Sequence, residues 1–170
     1  LDFGVIDLDI PEHQGADEAA ADYVRRVARE KAGAGLLEVV AVANAVVLGA
    51  DTEVILDGRV FGKPADADDA AAMLRSLSCR SHAVITAVSL VSAGRELQAV
   101  SESQVRVAAM SDADIERYIA SGEWQGKAGA YAIQGGFQQY IEHLSGSYSG
   151  VMGLPLFETA RLLKQFGVLQ

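Results

Sequence analysis

Two acidic side chains stand where they could hold a metal ion or a water molecule. Asp51 directly follows an apolar run, Val-Val-Leu-Gly-Ala, that predicts a buried strand. A carboxylate at such a strand end can bind Mg²⁺ or orient an attacking water, although the same residue type also caps turns. Glu12 follows another predicted strand and is either a second metal ligand or a solvated turn residue. Asp51 is therefore the first candidate for catalysis.

Two lysines are candidates for binding an anion. Lys31 lies four residues after Val27 and seven after Val24, at the end of the apolar face of a predicted helix. It either binds an anion or extends past its apolar neighbours into solvent. Lys63 lies in Gly-Arg-Val-Phe-Gly-Lys-Pro, which differs from a phosphate-binding P-loop in glycine spacing and in having Pro64 at the Ser/Thr position. Lys63 precedes a predicted helix, whose N-terminus would favour phosphate.

An amide in a glycine-rich loop could recognise a nucleobase. Gln134 lies in Ala-Tyr-Ala-Ile-Gln-Gly-Gly, and an amide offers both hydrogen-bond donors and acceptors to the edge of a base. The alternative is a structural amide. Trp124 and Tyr131 would either stack on a base or cover the loop. The histidines lack metal-ligand spacing, and no nucleophile motif is present.

Composition limits the classes of protein. The chain has 170 residues, a length that fits one domain. Its formal net charge of −9 argues against a protein that coats duplex DNA through its whole surface. Cys79 is the single cysteine, so an intramolecular disulfide is excluded and a reducing cytoplasm is expected. No apolar run approaches the roughly 20 residues of a membrane-spanning helix, and the acidic first residues do not resemble a signal peptide.

Alternating strand and helix patterns predict an α/β fold with a mixed sheet. The predicted strands are Phe3–Ile10, Ala45–Leu48 continuing through Thr52–Leu56, Arg59–Phe61 after an Asp57-Gly58 turn, Ala83–Val91, Leu97–Val107 and Phe137–Leu144. The predicted helices run from Asp17 to about Gly33, from the Asp66 cluster through Leu77, from Ser111 to about Ser121, and from Pro155 to near Gly167. Residues 122–136 and 146–153 are predicted as small-residue loops.

Five motifs, in order along the chain, resemble the Maf family of nucleoside triphosphate pyrophosphatases, once described as septum-formation proteins. They are Arg29-Glu30-Lys31-Ala32, Gly49-Ala50-Asp51-Thr52, Gly62-Lys63-Pro64, the stretch from Lys127 to Gly135, and the stretch from Gly146 to Pro155. The similarity covers essentially the whole chain, 1–170, as a single domain. It begins just after the strand and Pro-Arg-Arg loop with which the family opens.

The resemblance implies a fold like that of the inosine triphosphate pyrophosphatases: an elongated, mixed, twisted sheet flanked by helices, with a cleft between two lobes. It implies hydrolysis of a nucleoside triphosphate to the monophosphate and pyrophosphate with Mg²⁺ or Mn²⁺. Asp51 matches the family's catalytic acid or base, and Glu12 its early carboxylate. Both would hold the metal.

The same resemblance assigns the remaining site residues. Lys31 and Lys63 match phosphate-contacting lysines, while Thr52 and Gln134 match positions tied to base choice. The Ala-Tyr-Ala-Ile-Gln-Gly loop is similar to the branch acting on dTTP and UTP, whereas Gly126 replaces an aspartate common in relatives. A modified pyrimidine triphosphate, a 7-methyl-GTP pyrophosphatase and a non-catalytic nucleotide-binding regulator of cell division are the alternatives. The expected partner is the nucleotide, with no nucleic acid or membrane, and a homodimer is left open.

Overall fold

The computed structural model describes residues 1–170, and an α/β fold is observed as predicted. The helices are α1 Ala20–Glu38, α2 Ala67–Leu77, α3 Asp112–Ser121, α4 Tyr148–Val151 and α5 Leu156–Phe166. The strands are β1 Val47–Leu56, β2 Arg59–Phe61, β3 Ser81–Ser92, β4 Arg95–Val107 and β5 Ile141–Ser145. None of the helices is both long and apolar enough to cross a membrane.

The five strands form one sheet in the order β2-β1-β3-β4-β5. The sheet is antiparallel, whereas mixed strand directions were expected. Hairpins join β1 to β2 and β3 to β4, and a hairpin can connect only antiparallel neighbours. Asp57 and Gly58 have φ values of 52° and 77°, the left-handed conformation that a two-residue hairpin turn requires at both positions. The predicted Asp57-Gly58 turn is confirmed.

The chain divides into two compact units, each with its own buried cluster. The first unit comprises Leu1–Asp51, Ala87–Val100 and Phe157–Gln170, and the second comprises Thr52–Thr86 and Ser101–Leu156. Val88, Leu90 and Leu162 form the cluster of the first unit. In the second unit the fully buried Phe137 lies in a larger cluster, which also takes the apolar face of α2 through Ala70, Leu74 and Leu77.

The N-terminal segment corrects the sequence prediction. Phe3–Ile10 alternates as a strand does, but it forms no strand. Phe3 and Val5 are exposed, while the side chains of Ile6 and Leu8 reach the surroundings of Gly35 on α1. Ile6 and Leu8 therefore pack on a helix instead of joining a sheet, and periodicity alone does not distinguish these two environments.

Helix α1 begins later and ends later than predicted. Asp17 is not its N-cap, because the helix starts at Ala20 after Ala19, which makes no side-chain capping bond. Gly33 and Gly35 do not end the helix either. A Cβ atom at Gly35 would lie 2.9 Å from Val47 Cγ1, so this glycine allows close packing within the first unit. Here the tertiary contact, not the helix end, explains the glycine.

The later elements agree with the prediction in all but two places. Asp66 caps α2, and Ser111 with Asp114 forms the predicted capping box of α3. The strand predicted from Phe137 begins only at Ile141, because 136–140 form a short 3₁₀ turn. The loop at 146–153 contains the short helix α4, with Ser147 as its cap. Both corrections fall in glycine-rich segments, where local signals are weak.

A histidine–tyrosine pair lies in the buried part of the second unit. His82 is 2% exposed, and its Nε2 atom lies 2.8 Å from the hydroxyl of Tyr131. Burial lowers the pKa of His82 from 6.5 to about 4, so its imidazole is neutral at pH 7. Burial also raises the pKa of Tyr131, so its hydroxyl stays protonated. The folded state therefore favours the neutral form of His82.

We expect the free energy of unfolding to fall as the pH drops from about 6.5 towards about 4. The unfolded chain protonates His82 in this window while the folded chain does not, so acid favours unfolding. The difference between the two pKa values corresponds to at most about 3 kcal/mol. Urea unfolding between pH 7.5 and 4.5 measures the slope, and His82→Asn should flatten it. Equal slopes for both proteins would contradict this assignment.

Candidate functional site

Three of the predicted site residues meet in the first unit. Lys31 Nζ lies 2.8 Å from Asp51 Oδ1 and 2.9 Å from Glu12 Oε1. The Asp51 side chain is 4% exposed, and those of Lys31 and Glu12 are each 25% exposed. We call Glu12, Lys31 and Asp51 the carboxylate–lysine cluster. Its buried end is Asp51, and its solvent-facing end is formed by the other two residues.

A glycine brings β1 against α1 so that this cluster can form. A Cβ atom at Gly49 would lie 2.4 Å from the carbonyl oxygen of Ala28 and 2.5 Å from the amide nitrogen of Ala32. The strand backbone therefore touches the helix backbone two residues before Asp51 and one residue after Lys31. Any larger residue at position 49 would force the strand away from the helix. Gly49 is thus a positioning residue that the sequence analysis did not single out.

The electrostatics of the cluster keep Lys31 charged. Burial lowers the pKa of Lys31, but the hydrogen bonds that it donates to Asp51 and Glu12 outweigh burial, so the net pKa is above its usual value. Arg29, two residues earlier, instead pairs with Glu96. The ammonium group is therefore shared by two carboxylates and remains protonated throughout the physiological range.

The same carboxylates were predicted to hold a divalent metal. No group of three or more His, Cys, Asp or Glu side chains is arranged to bind a metal ion. Glu12 and Asp51 nevertheless direct oxygens at one point, where Lys31 Nζ lies. Mg²⁺ is commonly bound by one or two carboxylates, with phosphate and water oxygens completing its coordination. The pair matches that donor set in residue type, and a divalent ion would bind beside Lys31 Nζ, which occupies the point where Glu12 Oε1 and Asp51 Oδ1 converge.

Thr52 belongs to a hydrogen-bonded chain in the second unit. Its Oγ1 atom lies 2.8 Å from Oγ1 of Thr86, which donates to the carbonyl oxygen of Gly150 at 2.7 Å. Thr52 is half-buried and Thr86 is fully buried. Sequence analysis missed Thr86, because a threonine inside an apolar strand carries no local functional signal.

Lys63 and Gln134 are both exposed in loops of the second unit. Lys63 lies between β2 and α2, next to Gly62, whose carbonyl oxygen accepts a 3.1 Å hydrogen bond from the amide of Gly129. A Cβ atom at Gly129 would lie 2.8 Å from Val54 Cγ2, and φ there is 67°, so only glycine is unstrained at this position. The Lys63 loop is thereby attached to the glycine-rich segment.

The turn that carries Gln134 is held by Glu123, a further residue that sequence analysis missed. Glu123 Oε2 accepts a 2.7 Å hydrogen bond from the amide of Gly136, and a Cβ atom at Gly135 would lie 2.1 Å from the same oxygen. The amide of Ala132 donates to the hydroxyl of Tyr118 at 3.1 Å. The backbone is therefore anchored on both sides of Gln134 while the amide side chain is exposed.

The two aromatic candidates serve the fold of the second unit. Trp124 donates its indole N–H to the carbonyl oxygen of Ile119 at 3.0 Å. Tyr131 is 5% exposed and stacks on Phe137 with ring centroids 4.6 Å apart. Of the two interpretations that the sequence allowed for these rings, covering the loop agrees with their contacts.

Comparison with known proteins identifies what the chain is similar to. Residues 1–166 match the family model described as Maf-like protein. A dTTP/UTP pyrophosphatase of Xanthomonas euvesicatoria pv. vesicatoria (strain 85-10) is 58% identical over 167 residues, covering 97% of this chain and 88% of the relative. A nucleoside triphosphate pyrophosphatase of Xylella fastidiosa (strain 9a5c) is 59% identical over 167 residues, covering 98% and 88%.

Proposed function

The chain belongs to the Maf-like protein family, and on that premise we propose that it hydrolyses dTTP and UTP to the nucleoside monophosphate and pyrophosphate. The relatives named as pyrophosphatases support the activity. The observation that carries the proposal is the contact of 2.8 Å between buried Asp51 and Lys31. It holds a buried carboxylate in a fixed orientation beside a cation.

Asp51 takes a proton from the attacking water. The water oxygen forms a bond to the α-phosphorus, the bond from that phosphorus to the bridging oxygen breaks, and pyrophosphate leaves with the bonding electrons. No covalent intermediate is needed, in accord with the lack of a nucleophile motif. Lys31 fixes the orientation of Asp51 through their hydrogen bond.

The phosphates are bound by positive charge. A triphosphate carries about four negative charges while the protein carries −9, so cations must be concentrated locally. Lys31 and Lys63 supply two of them. Asp51 and Glu12 would hold a divalent ion, Mg²⁺ or Mn²⁺, which when bound neutralises phosphate oxygens. We further propose a cytoplasmic location, supported by the single cysteine, and no nucleic-acid or membrane partner.

Gln134 and Thr52 discriminate between bases. The Gln134 amide can donate to O4 and accept from N3–H of uracil or thymine. Cytosine reverses these groups, so an amide in the same orientation would face a donor with its donor and an acceptor with its acceptor. Purines are excluded by size. The glycines beside Gln134 allow the base to approach the backbone.

The test is a panel of nucleoside triphosphates with Mg²⁺, in which monophosphate and pyrophosphate are both quantified. We expect dTTP and UTP to have higher kcat/KM than dCTP, CTP or purine nucleotides, and Gln134→Ala to narrow the ratio of UTP to CTP. Gln138→Ala is the matched control, since it removes an exposed amide from the 3₁₀ turn that follows. An unchanged ratio in Gln134→Ala would show that this amide does not recognise the base.

Other outcomes of the panel have defined meanings. Preference for 7-methyl-GTP or for a modified pyrimidine triphosphate would replace the proposed substrate while keeping the reaction. Nucleotide binding without release of pyrophosphate would contradict the enzyme and favour a regulatory nucleotide-binding protein. Release of orthophosphate instead of pyrophosphate would contradict the position of bond cleavage.

A further inference from the structure

The hydroxyl hydrogen of Thr52 is directed at one acceptor, Oγ1 of Thr86. A hydroxyl carries one hydrogen, and a backbone carbonyl only accepts. Thr86 therefore gives its hydrogen to Gly150, and its 2.8 Å contact with Thr52 requires Thr52 to be the donor. We call Thr52, Thr86 and Gly150 the threonine relay. Its consequence is that Thr52 Oγ1 offers only lone pairs to any other group.

The far end of the relay cannot reorient easily. Gly150 is buried on α4, and its amide donates to the Ser147 hydroxyl at 2.9 Å. The amide of Ser147 in turn donates to Ser103 Oγ at 2.9 Å, and Ser103 is 2% exposed. These bonds hold the carbonyl of Gly150 in place. Thr86, at 0% exposure, has no solvent to which its hydrogen could turn.

The near end of the relay is only partly buried. Thr52 is half-buried and immediately follows Asp51 along β1. Gly153 lies beside the hydroxyl, and a Cβ atom there would be in ordinary van der Waals contact with Thr52 Oγ1 at 3.7 Å. A group placed beside this hydroxyl would meet an oxygen that can accept a hydrogen bond and cannot donate one.

We propose that Thr86 is a positioning residue that makes Thr52 an acceptor for an N–H group of the substrate's base, an inference that rests on the proposed function. Uracil and thymine carry one hydrogen on N3, which Thr52 and the Gln134 oxygen would share as acceptors, where cytosine carries a lone pair. Cytosine would require Thr52 to withdraw its hydrogen from Thr86, leaving the buried Thr86 oxygen without its donor. The threonine relay therefore selects against cytosine.

The threonine relay presents a fixed hydrogen-bond acceptor to the base, whereas the Gln134 amide can present either an acceptor or a donor. The side chain of Gln134 is exposed, and an amide can turn over to present either its oxygen or its nitrogen. Because the amide can turn over, Gln134 alone provides only part of the discrimination between uracil and cytosine. The threonine relay has no equivalent rotation, because its last acceptor is a backbone carbonyl. Strict pyrimidine selection is thus assigned to Thr86 as well as to the loop.

The experiment compares kcat/KM for UTP and CTP in folded variants. Thr86→Val keeps the shape of the side chain and frees the Thr52 hydrogen, so the ratio of UTP to CTP should fall by about tenfold. Thr86→Ser restores the hydroxyl and should retain the wild-type ratio. Ser89→Ala is the control for a buried hydroxyl on the same strand, since Ser89 is 0% exposed, and should also retain it.

A double-mutant cycle separates this role from a structural one. In a Thr52→Val background, Thr86→Val should not change the ratio of UTP to CTP further, because the hydroxyl that would contact the base is already absent. Independent effects of the two substitutions, or an unchanged ratio in Thr86→Val, would overturn the proposal. If Thr86→Val does not fold, an unchanged ratio in Thr52→Val overturns it instead. A wild-type protein that hydrolyses neither nucleotide would contradict the proposed function itself.

Discussion

Asp51→Asn should lower kcat for dTTP and UTP by about 10²–10⁴-fold while the protein stays folded. Asparagine keeps the shape of the side chain and an oxygen that can accept the hydrogen bond from Lys31, now 2.8 Å long. It loses the negative charge and the basicity needed to take a proton from water. The measurement is pyrophosphate release at saturating nucleotide.

Two comparisons make the Asp51 result interpretable. Asp57→Asn applies the same chemical change to an exposed aspartate in the hairpin turn and should leave kcat near the wild-type value. Thermal unfolding of Asp51→Asn should show a cooperative transition like that of the wild type. A folded Asp51→Asn protein with near-normal kcat would exclude Asp51 as the proton acceptor.

Lys31→Met should reduce both stability and triphosphate binding, because this lysine has two tasks. Methionine keeps the apolar stem but leaves Asp51 and Glu12 without the cation between them. Breaking a buried ion pair by removing one partner costs about 3–5 kcal/mol. The side chains of Lys31 and Glu12 are each 25% exposed, so solvent screening places the loss at or below the lower end of that range.

The loss of unfolding free energy in Lys31→Met should depend on pH. Protonated carboxylates need no cation, so the stability deficit of Lys31→Met should shrink as the pH is lowered from 7 towards 4. Urea unfolding of variant and wild type across this range measures it. A deficit that is constant with pH would indicate lost packing instead of lost charge.

Lys63→Ala provides the contrast for Lys31. Lys63 is exposed in a loop, whereas Lys31 lies between two carboxylates. In both variants the affinity for the triphosphate should fall by more than the affinity for the monophosphate, each compared with wild type. A charge-assisted contact to a phosphate is worth about 1.5–3 kcal/mol. Equal weakening for both nucleotides would show that the lysines do not contact the additional phosphates.

Local signals along the chain predicted the elements whose causes are local. The Asp57-Gly58 turn, the cap at Asp66 and the capping box at Ser111 involve neighbours within a few residues, and all three are observed. The five motifs, which occur in the family's order along the chain, likewise predicted the family that matches residues 1–166. Asp51, Lys31 and Glu12 were selected from the sequence as separate candidates, and in the structure they form one cluster.

Distant contacts decided what the sequence could not. Alternation at Phe3–Ile10 predicted a strand, but Ile6 and Leu8 of this segment pack on a helix face. Gly35 was expected to end that helix, and instead it allows close packing within the first unit. Thr86 and Glu123 carry no motif, since their importance arises from atoms 34 and 13 residues away in the chain, at Thr52 and Gly136. Residue types and spacing thus determined which chemistry was available. Only the folded backbone decided where each hydrogen and each charge is held, because those positions depend on groups that are far apart in sequence.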